Sequence, residues 1–326
     1  MVTRAFATGL RVAVDSPKLL VALWCVLFLA AVPFGLMMQQ EIQEAIGPSR
    51  VGQTLLERMD LVWLGEFREG SDGLRSTLQP ATTSAFDFLH NLDLVLGGRL
   101  VLQHPALVAA GAGYALLWLF LLGGLIDRYG RGENRPGLSQ LLAAAGRNIL
   151  RLLGLLLLSA PFYVGTALGA MWALKKLAQA LRDVTSEATL LHIYLAVVIP
   201  LLLILALVML VFDYAKVAAV LEDEKNPLKA LRRGLRFVTS RPLAVGGLAA
   251  LVVTCTLVLI ALRTLMDFGT AEGTVIGVLA VFLLGQLFLL ARLVLRLTLV
   301  AGEVSLYRSA HGQPAGLTSD DSIVDR

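Results

Sequence analysis

Six stretches of the chain stay apolar long enough to cross a hydrocarbon core of about 30 Å, which takes about 20 helical residues. They fall at 19–38, 105–126, 149–173, 190–212, 243–265 and 274–294. Each reads as an α-helix, because lipid offers no partner to a free backbone N–H or C=O. The expected fold class is all-α: a polytopic membrane domain over 1–308, with six transmembrane helices in three hairpins. The tail at 309–326, "SAHGQPAGLTSDDSIVDR", has too little apolar surface to pack and reads as disordered. The first stretch follows Arg4, Arg11 and Lys18, as a signal peptide would. Its apolar run is longer than a secretory h-region, and no small-residue cleavage site follows, so it reads as a membrane helix.

A different periodicity fills the gap before the fifth span. Asn226 suits a helix N-cap and Pro227 the first helical position. Leu228, Leu231, Leu235 and Val238 then form one stripe, and Lys229, Arg232, Arg233 and Arg236 another. The pattern predicts a basic amphipathic helix lying in the inner membrane interface, its cations in contact with anionic lipid headgroups.

Parts of this unit recur. "GLRVAVDSP" (9–17) and "GLRFVTSRP" (234–242) share Gly-Leu-Arg, five residues, then Pro, and each immediately precedes a span. "NRPGLSQLLAAAGRNILR" gives a third version, starting at Pro136, with Leu138, Leu141, Leu142, Ala145 and Ile149 as its stripe. The even spans also end alike, in an acid, a tyrosine and a base. These are Asp127, Tyr129 and Arg131; Asp213, Tyr214 and Lys216; and Glu303, Tyr307 and Arg308. The expectation is three units, each an inner interfacial helix followed by a membrane hairpin, packed with approximate three-fold pseudosymmetry. Tyrosines and bases also collect at helix ends through the aromatic belt and the positive-inside bias, so the shared endings alone do not establish a repeat.

The loop at 39–104 is long and acidic. Leu55, Leu56, Met59, Val62 and Trp63 recur at helical spacing, as do Phe86, Leu89, Leu92 and Leu96. Two short amphipathic helices on the outer face are expected there, broken apart at Gly70–Gly73 and Pro80.

Composition supports the membrane class. The chain is 57% hydrophobic and 16% charged, against about 25% charged for a soluble domain. Its mean hydropathy is +0.75. Charge then orients it. The side holding both termini carries 19 of the 28 Lys and Arg but only 11 of the 24 Asp and Glu. That bias puts both termini in the cytoplasm. Cys25 and Cys255 sit in separate apolar runs and suggest neither a disulfide nor a metal site.

Candidate chemistry is sparse. His90, His104, His192 and His311 are scattered without metal-ligand spacing, and "GGLIDRYGRG" follows a membrane helix rather than a strand. No catalytic residue, cofactor site or metal site is expected, and no nucleic-acid partner. Arg292 and Arg296 lie one turn apart in the last span, either snorkelling to the interface or paired with Asp127 or Asp213. The candidate inner-face polar cluster is therefore Asp127, Arg128, Tyr129, Arg131, Asp213, Tyr214, Lys216, Arg292, Arg296, Glu303 and Tyr307. Gly123 and Gly124 suit a close helix contact, and Gly165 and Gly169 form a GxxxG face. Pro161 and Pro200 fall mid-span, and Gln286 is a polar residue inside the last span.

"LFLLGGLIDRYGR" and "FDYAKVAAVLEDEKNPLKALRRGLRFVTSRP" resemble a family of bacterial six-helix membrane proteins of unestablished activity. More distantly they look like the membrane domain fused to some glycerophosphoryl diester phosphodiesterases. The resemblance covers most of the chain, chiefly from the second span to the sixth. It implies an inner-membrane helical domain and carries over no catalytic residue, since nothing here matches the separate phosphodiesterase barrel. The leading expectation is a non-enzymatic protein that organises membrane lipid or protein partners, a second copy of itself included. A small-solute transporter or channel would need a polar cavity reaching mid-membrane. An intramembrane lipid-processing enzyme would need Asp127, Asp213 and Tyr214 to converge.

Overall fold

The computed structural model describes residues 1–46, 105–132, 138–181, 186–267 and 275–311, which form helices and contain no strand. In chain order these are α1 (Val2–Val14), α2 (Pro17–Ile46), α3 (Pro105–Arg131), α4 (Leu138–Ala180), α5 (Glu187–Leu221), α6 (Pro227–Ser240), α7 (Pro242–Asp267) and α8 (Val275–Ala310). Beyond Ile46, the expected helical loop lies outside the described residues. The tail begins later than expected, since Ser309 and Ala310 still belong to α8, and the rest of it lies outside the described residues too.

Helices α2, α3, α4, α5, α7 and α8 are each long and apolar enough to cross a membrane. Their surfaces say in what medium they sit. The most apolar window of α5 has a mean hydropathy of 3.3 and is only 11% buried; for α8 the figures are 2.4 and 6%. Leu257, Leu283 and Leu287 are among the many large apolar side chains left exposed. Water would drive such surfaces together, whereas lipid solvates them. The chain is a multi-pass membrane protein. At 43 residues, α4 would run about 64 Å at 1.5 Å per residue, so part of it extends beyond the hydrocarbon.

The chain gathers into two compact units. One holds Met1–Gly9, Leu117–Ala249 and the chain from Leu299 onward; the other holds Leu10–Leu116 and Ala250–Thr298. In the second, polar groups tie apolar helices together. Trp24 Nε1 donates to Gln286 Oε1 at 3.1 Å, joining α2 to α8. Arg296 Nη1 donates to the Tyr114 hydroxyl at 2.7 Å, with its guanidinium 5.8 Å from that ring's centroid, joining α8 to α3.

In the first unit the short helices dock through small residues. Asn226 accepts from the N–H groups of Leu228 and Lys229 at 3.0 and 3.4 Å, and Pro227 takes the first position, as the cap signal predicts. The docked face of α6 is Ala230, Gly234, Phe237 and Val238. Leu228 and Leu235 of the expected stripe are instead exposed. The helix therefore has three faces, one small, one leucine-rich and one basic. A methyl group on Gly234 would lie 2.6 Å from the Val211 carbonyl oxygen and 2.7 Å from the Ala215 nitrogen, so the backbones of α5 and α6 are in contact there.

The same device operates twice more. The buried positions of α1 are Ala5, Gly9 and Ala13, and a methyl group on Gly302 of α8 would lie 3.5 Å from the Ala5 carbonyl oxygen. At the start of α4, Leu141 and Ala145 pack on Gly124 of α3, where a methyl group would lie 2.5 Å from the Leu141 carbonyl oxygen. One expectation fails here: the third interfacial helix is not separate, because α4 runs unbroken from Leu138. Pro17 and Pro242 open new helices after α1 and α6, but between Leu138 and the expected span at 149–173 no proline interrupts the ladder. Nor do Gly165 and Gly169 pack on anything among the described residues; a methyl group on either would meet none of them within 4 Å.

Gly234→Val is expected to destabilise the protein by about 1–3 kcal/mol, the usual penalty of overpacking. Gly246→Ala, where an added methyl group meets nothing within 4 Å, should leave stability unchanged or raise it. Thermal unfolding in a mild detergent checks both. By the same measurement Gln286→Leu should cost about 0.6 kcal/mol, a typical value for a hydrogen bond between membrane helices.

Candidate functional site

The candidate polar residues resolve into separate places. At the junction of α3 and α4, Asp127 receives Arg131 Nε at 3.0 Å and Arg147 Nη2 at 3.3 Å. Arg128 and Tyr129 are buried beside it. A cavity of about 240 Å³ opens there, lined by Asp127, Arg128, Arg131 and Arg147. At the end of α5, Lys216 Nζ donates to Asp213 Oδ1 at 2.7 Å. Glu303 of α8 is buried within Coulomb range of Asp213 and Lys216. Asp127 and Asp213 thus take their cations from Arg131, Arg147 and Lys216, not from Arg292 or Arg296. Arg296 bonds to Tyr114 in the other unit, and Arg292 is exposed.

Phe237 organises the α5–α6–α8 junction. Its ring stacks on Tyr214 of α5 at 4.8 Å and meets Tyr307 of α8 at 4.9 Å. His311 closes the pile, 4.5 Å from Tyr307 and 6.3 Å from Phe237. The Tyr307 hydroxyl donates to Glu222. Two of the three tyrosines in the shared helix endings thus meet on this one α6 residue. The third, Tyr129, is buried at the α3–α4 junction.

Beside the pile lies a larger cavity, about 680 Å³, with a basic lining. Glu222 comes from the end of α5, Arg233 and Arg236 from α6, Arg241 from the link to α7, and Arg308 from the last turns of α8. Arg233 is held by two acids, its Nη1 2.7 Å from Glu222 and its Nη2 3.1 Å from Glu224. Arg151 of α4 meets the third acid of that turn, Asp223, whose φ of 53° is left-handed. Arg236, Arg241 and Arg308 have no acidic partner among the described residues. Lys229 and Arg232 are exposed on the outer side of α6. Of the four expected headgroup contacts, Arg233 is therefore engaged within the protein, Lys229 and Arg232 are exposed, and Arg236 is exposed at the edge of the cavity.

Arg241 is a site residue the sequence pattern did not pick out, and Arg308 was visible only as the base of a helix ending. The available signal was position: Arg241 directly precedes the proline that opens α7. No group of three or more His, Cys, Asp or Glu among the described residues is placed to hold a metal ion. No family model, curated protein or solved structure matches the chain.

Phe237→Ala is expected to cost about 3 kcal/mol, the low end for emptying an aromatic site in a packed core. Phe237→Leu, which keeps most of the volume, should cost about half as much. Unfolding midpoints of the two variants against the parent check the ordering.

Proposed function

We propose that the chain is a non-enzymatic protein of the bacterial inner membrane, with both termini cytoplasmic, that gathers anionic lipid around its cytoplasmic rim. The observation that carries this reading is the three-faced α6. Its small face is fixed to α5, while Leu228 and Leu235 stand exposed beside the cations of Lys229, Arg232 and Arg236. A helix clamped from behind, with an apolar stripe and a basic stripe turned outward, suits the boundary between acyl chains and headgroups.

The repeat belongs to the same reading. Aligned on Gly-Leu-Arg, Ala5, Gly9 and Ala13 correspond to Ala230, Gly234 and Val238, and all six are buried. Arg4 and Arg11 correspond to Lys229 and Arg236, and all four are exposed. Three inner helices, two separate and one fused to its span as the start of α4, would then ring the bundle, each clamped to a neighbouring membrane helix. The resemblance to six-helix bacterial membrane proteins fits this arrangement and rests on the residues quoted for it. Against transport through a broken helix, α4 and α5 continue through Pro161 and Pro200. Protein partners, a second copy included, would find the same rim.

Native mass spectrometry of the full chain in a non-ionic detergent tests the reading. Phosphatidylglycerol should be retained in preference to phosphatidylcholine. Lys229→Ala with Arg232→Ala should weaken retention roughly 30-fold, at about 1 kcal/mol for each cation near the surface. Equal retention of the two lipids by the parent protein would overturn it.

A further inference from the structure

We propose that the 680 Å³ cavity between the end of α5, α6 and α8 is a binding site for a phosphate monoester, with Arg241 and Arg308 as its principal ligands. The inference rests on the preceding reading for its setting at the cytoplasmic rim, but concerns a different set of cations. Lys229 and Arg232 are exposed and outside the cavity lining, whereas Arg241 and Arg308 line it.

Three observations point to an anion of high charge. First, the lining is unbalanced. Arg233 is matched by Glu222 and Glu224, which leaves Arg236, Arg241 and Arg308 without an acid among the described residues. Second, Nε and Nη1 of Arg308 are buried and hydrogen-bonded to no group among the described residues. A guanidinium desolvated on that edge lacks what a bidentate anion supplies, two parallel N–H···O bonds. Third, the cavity has the size of a ligand site, within the range of about 300–1,000 Å³ that small-molecule pockets occupy.

The donors fit phosphate. Arginine forks match its oxygens in pairs, and several converging guanidiniums favour a dianionic monoester over a singly charged diester. The firm walls help: Tyr307 is fixed by Glu222 and by its ring contact with Phe237, and Arg233 is fixed between its two acids. The lining is thus set before an anion arrives. The same chemistry is carried by a lipid ending in a phosphate monoester and by a free phosphate compound, and the cavity is lined by α6 and by Arg241, the residue before α7.

The test is thermal unfolding of the full chain in a non-ionic detergent, titrated with three probes. These are dioctanoyl phosphatidic acid, dioctanoyl phosphatidylcholine and inorganic pyrophosphate. Phosphatidic acid should raise the midpoint and phosphatidylcholine should not. Arg241→Gln with Arg308→Gln should weaken the phosphatidic acid response at least tenfold in concentration. The single Arg241→Gln variant, at a half-exposed position, should weaken it measurably if the double variant does not fold. An equal response to pyrophosphate alone would support the site and assign it to a free phosphate compound; a response to phosphatidic acid only would support it as a lipid site. A response to neither would overturn the proposal. So would a response to phosphatidic acid that the two glutamine substitutions leave intact but Lys229→Ala with Arg232→Ala removes. In that last case the outward basic face of α6 stands and the cavity falls. Loss in the glutamine variants alone is the converse.

Discussion

Contact between helix backbones through small residues is the constraint on which the first unit depends. In lipid, apolar helices gain nothing from hiding apolar surface from each other, so association rests on close packing and on a few polar links. Gly234 against Val211 and Ala215, Gly124 against Leu141, and Gly302 against Ala5 supply that closeness. At each contact a helix carrying the basic residues of the rim is fixed to the end of a membrane helix. Without that contact, α6 would rest on α5 through the Phe237–Tyr214 stack, the Arg233–Glu222 pair and the connecting turn. Fixing the backbone first is what allows long, flexible arginine side chains to meet at one place.

The proline after each short helix completes the geometry. Pro17 and Pro242 cannot continue a preceding hydrogen-bond ladder but suit the first position of a new one. The chain therefore turns at Asp15–Ser16 and again at Arg241, and the short helix departs in its own direction. Where that proline is missing, at the start of α4, the inner segment and the span merge into one helix of 43 residues. Local chemistry decides between a separate helix and a fused one, while the docking face is retained in both.

The spans, their helical nature and the cap at Asn226 were legible in the sequence because they follow from length, hydropathy and one side chain's hydrogen bonds. The leucine stripe of α6 was legible too, but its environment was not. Leu228 and Leu235 are large and apolar, so they draw attention as a packing face, yet the packing is done by Ala230, Gly234, Phe237 and Val238. The spacing of Ala230 and Gly234, four apart, was the visible sign of a close contact. Periodicity gives the angle of a residue around its helix and cannot say which neighbour fills that angle. For the same reason Gly165 and Gly169, four apart in α4, looked like a packing face and meet nothing among the described residues. The pairing of charges was least legible. Asp127 finds Arg147, Arg151 finds Asp223 and Arg296 finds Tyr114 across distances in sequence that no local pattern encodes.

The distribution of charge around α6 separates structural cations from available ones. Arg233 and Arg151 bind the acidic turn of Glu222, Asp223 and Glu224, and so hold the α5–α6 link against α4. Partly exposed pairs of this kind contribute little each, but together they use up the acids of this part of the first unit. With those acids engaged, nothing anionic among the described residues remains for Arg236, Arg241 and Arg308. A membrane protein that satisfied its own charges would place a fourth acid near Arg308. The only carboxylate on that stretch of α8 is Glu303, which is turned inward toward Asp213 and Lys216. The excess is therefore built into the order of residues along α8. Glu303 is directed to the bundle and Arg308, more than one turn later, to the rim, so the positive charge at the cavity has to be met from outside the helices that create it.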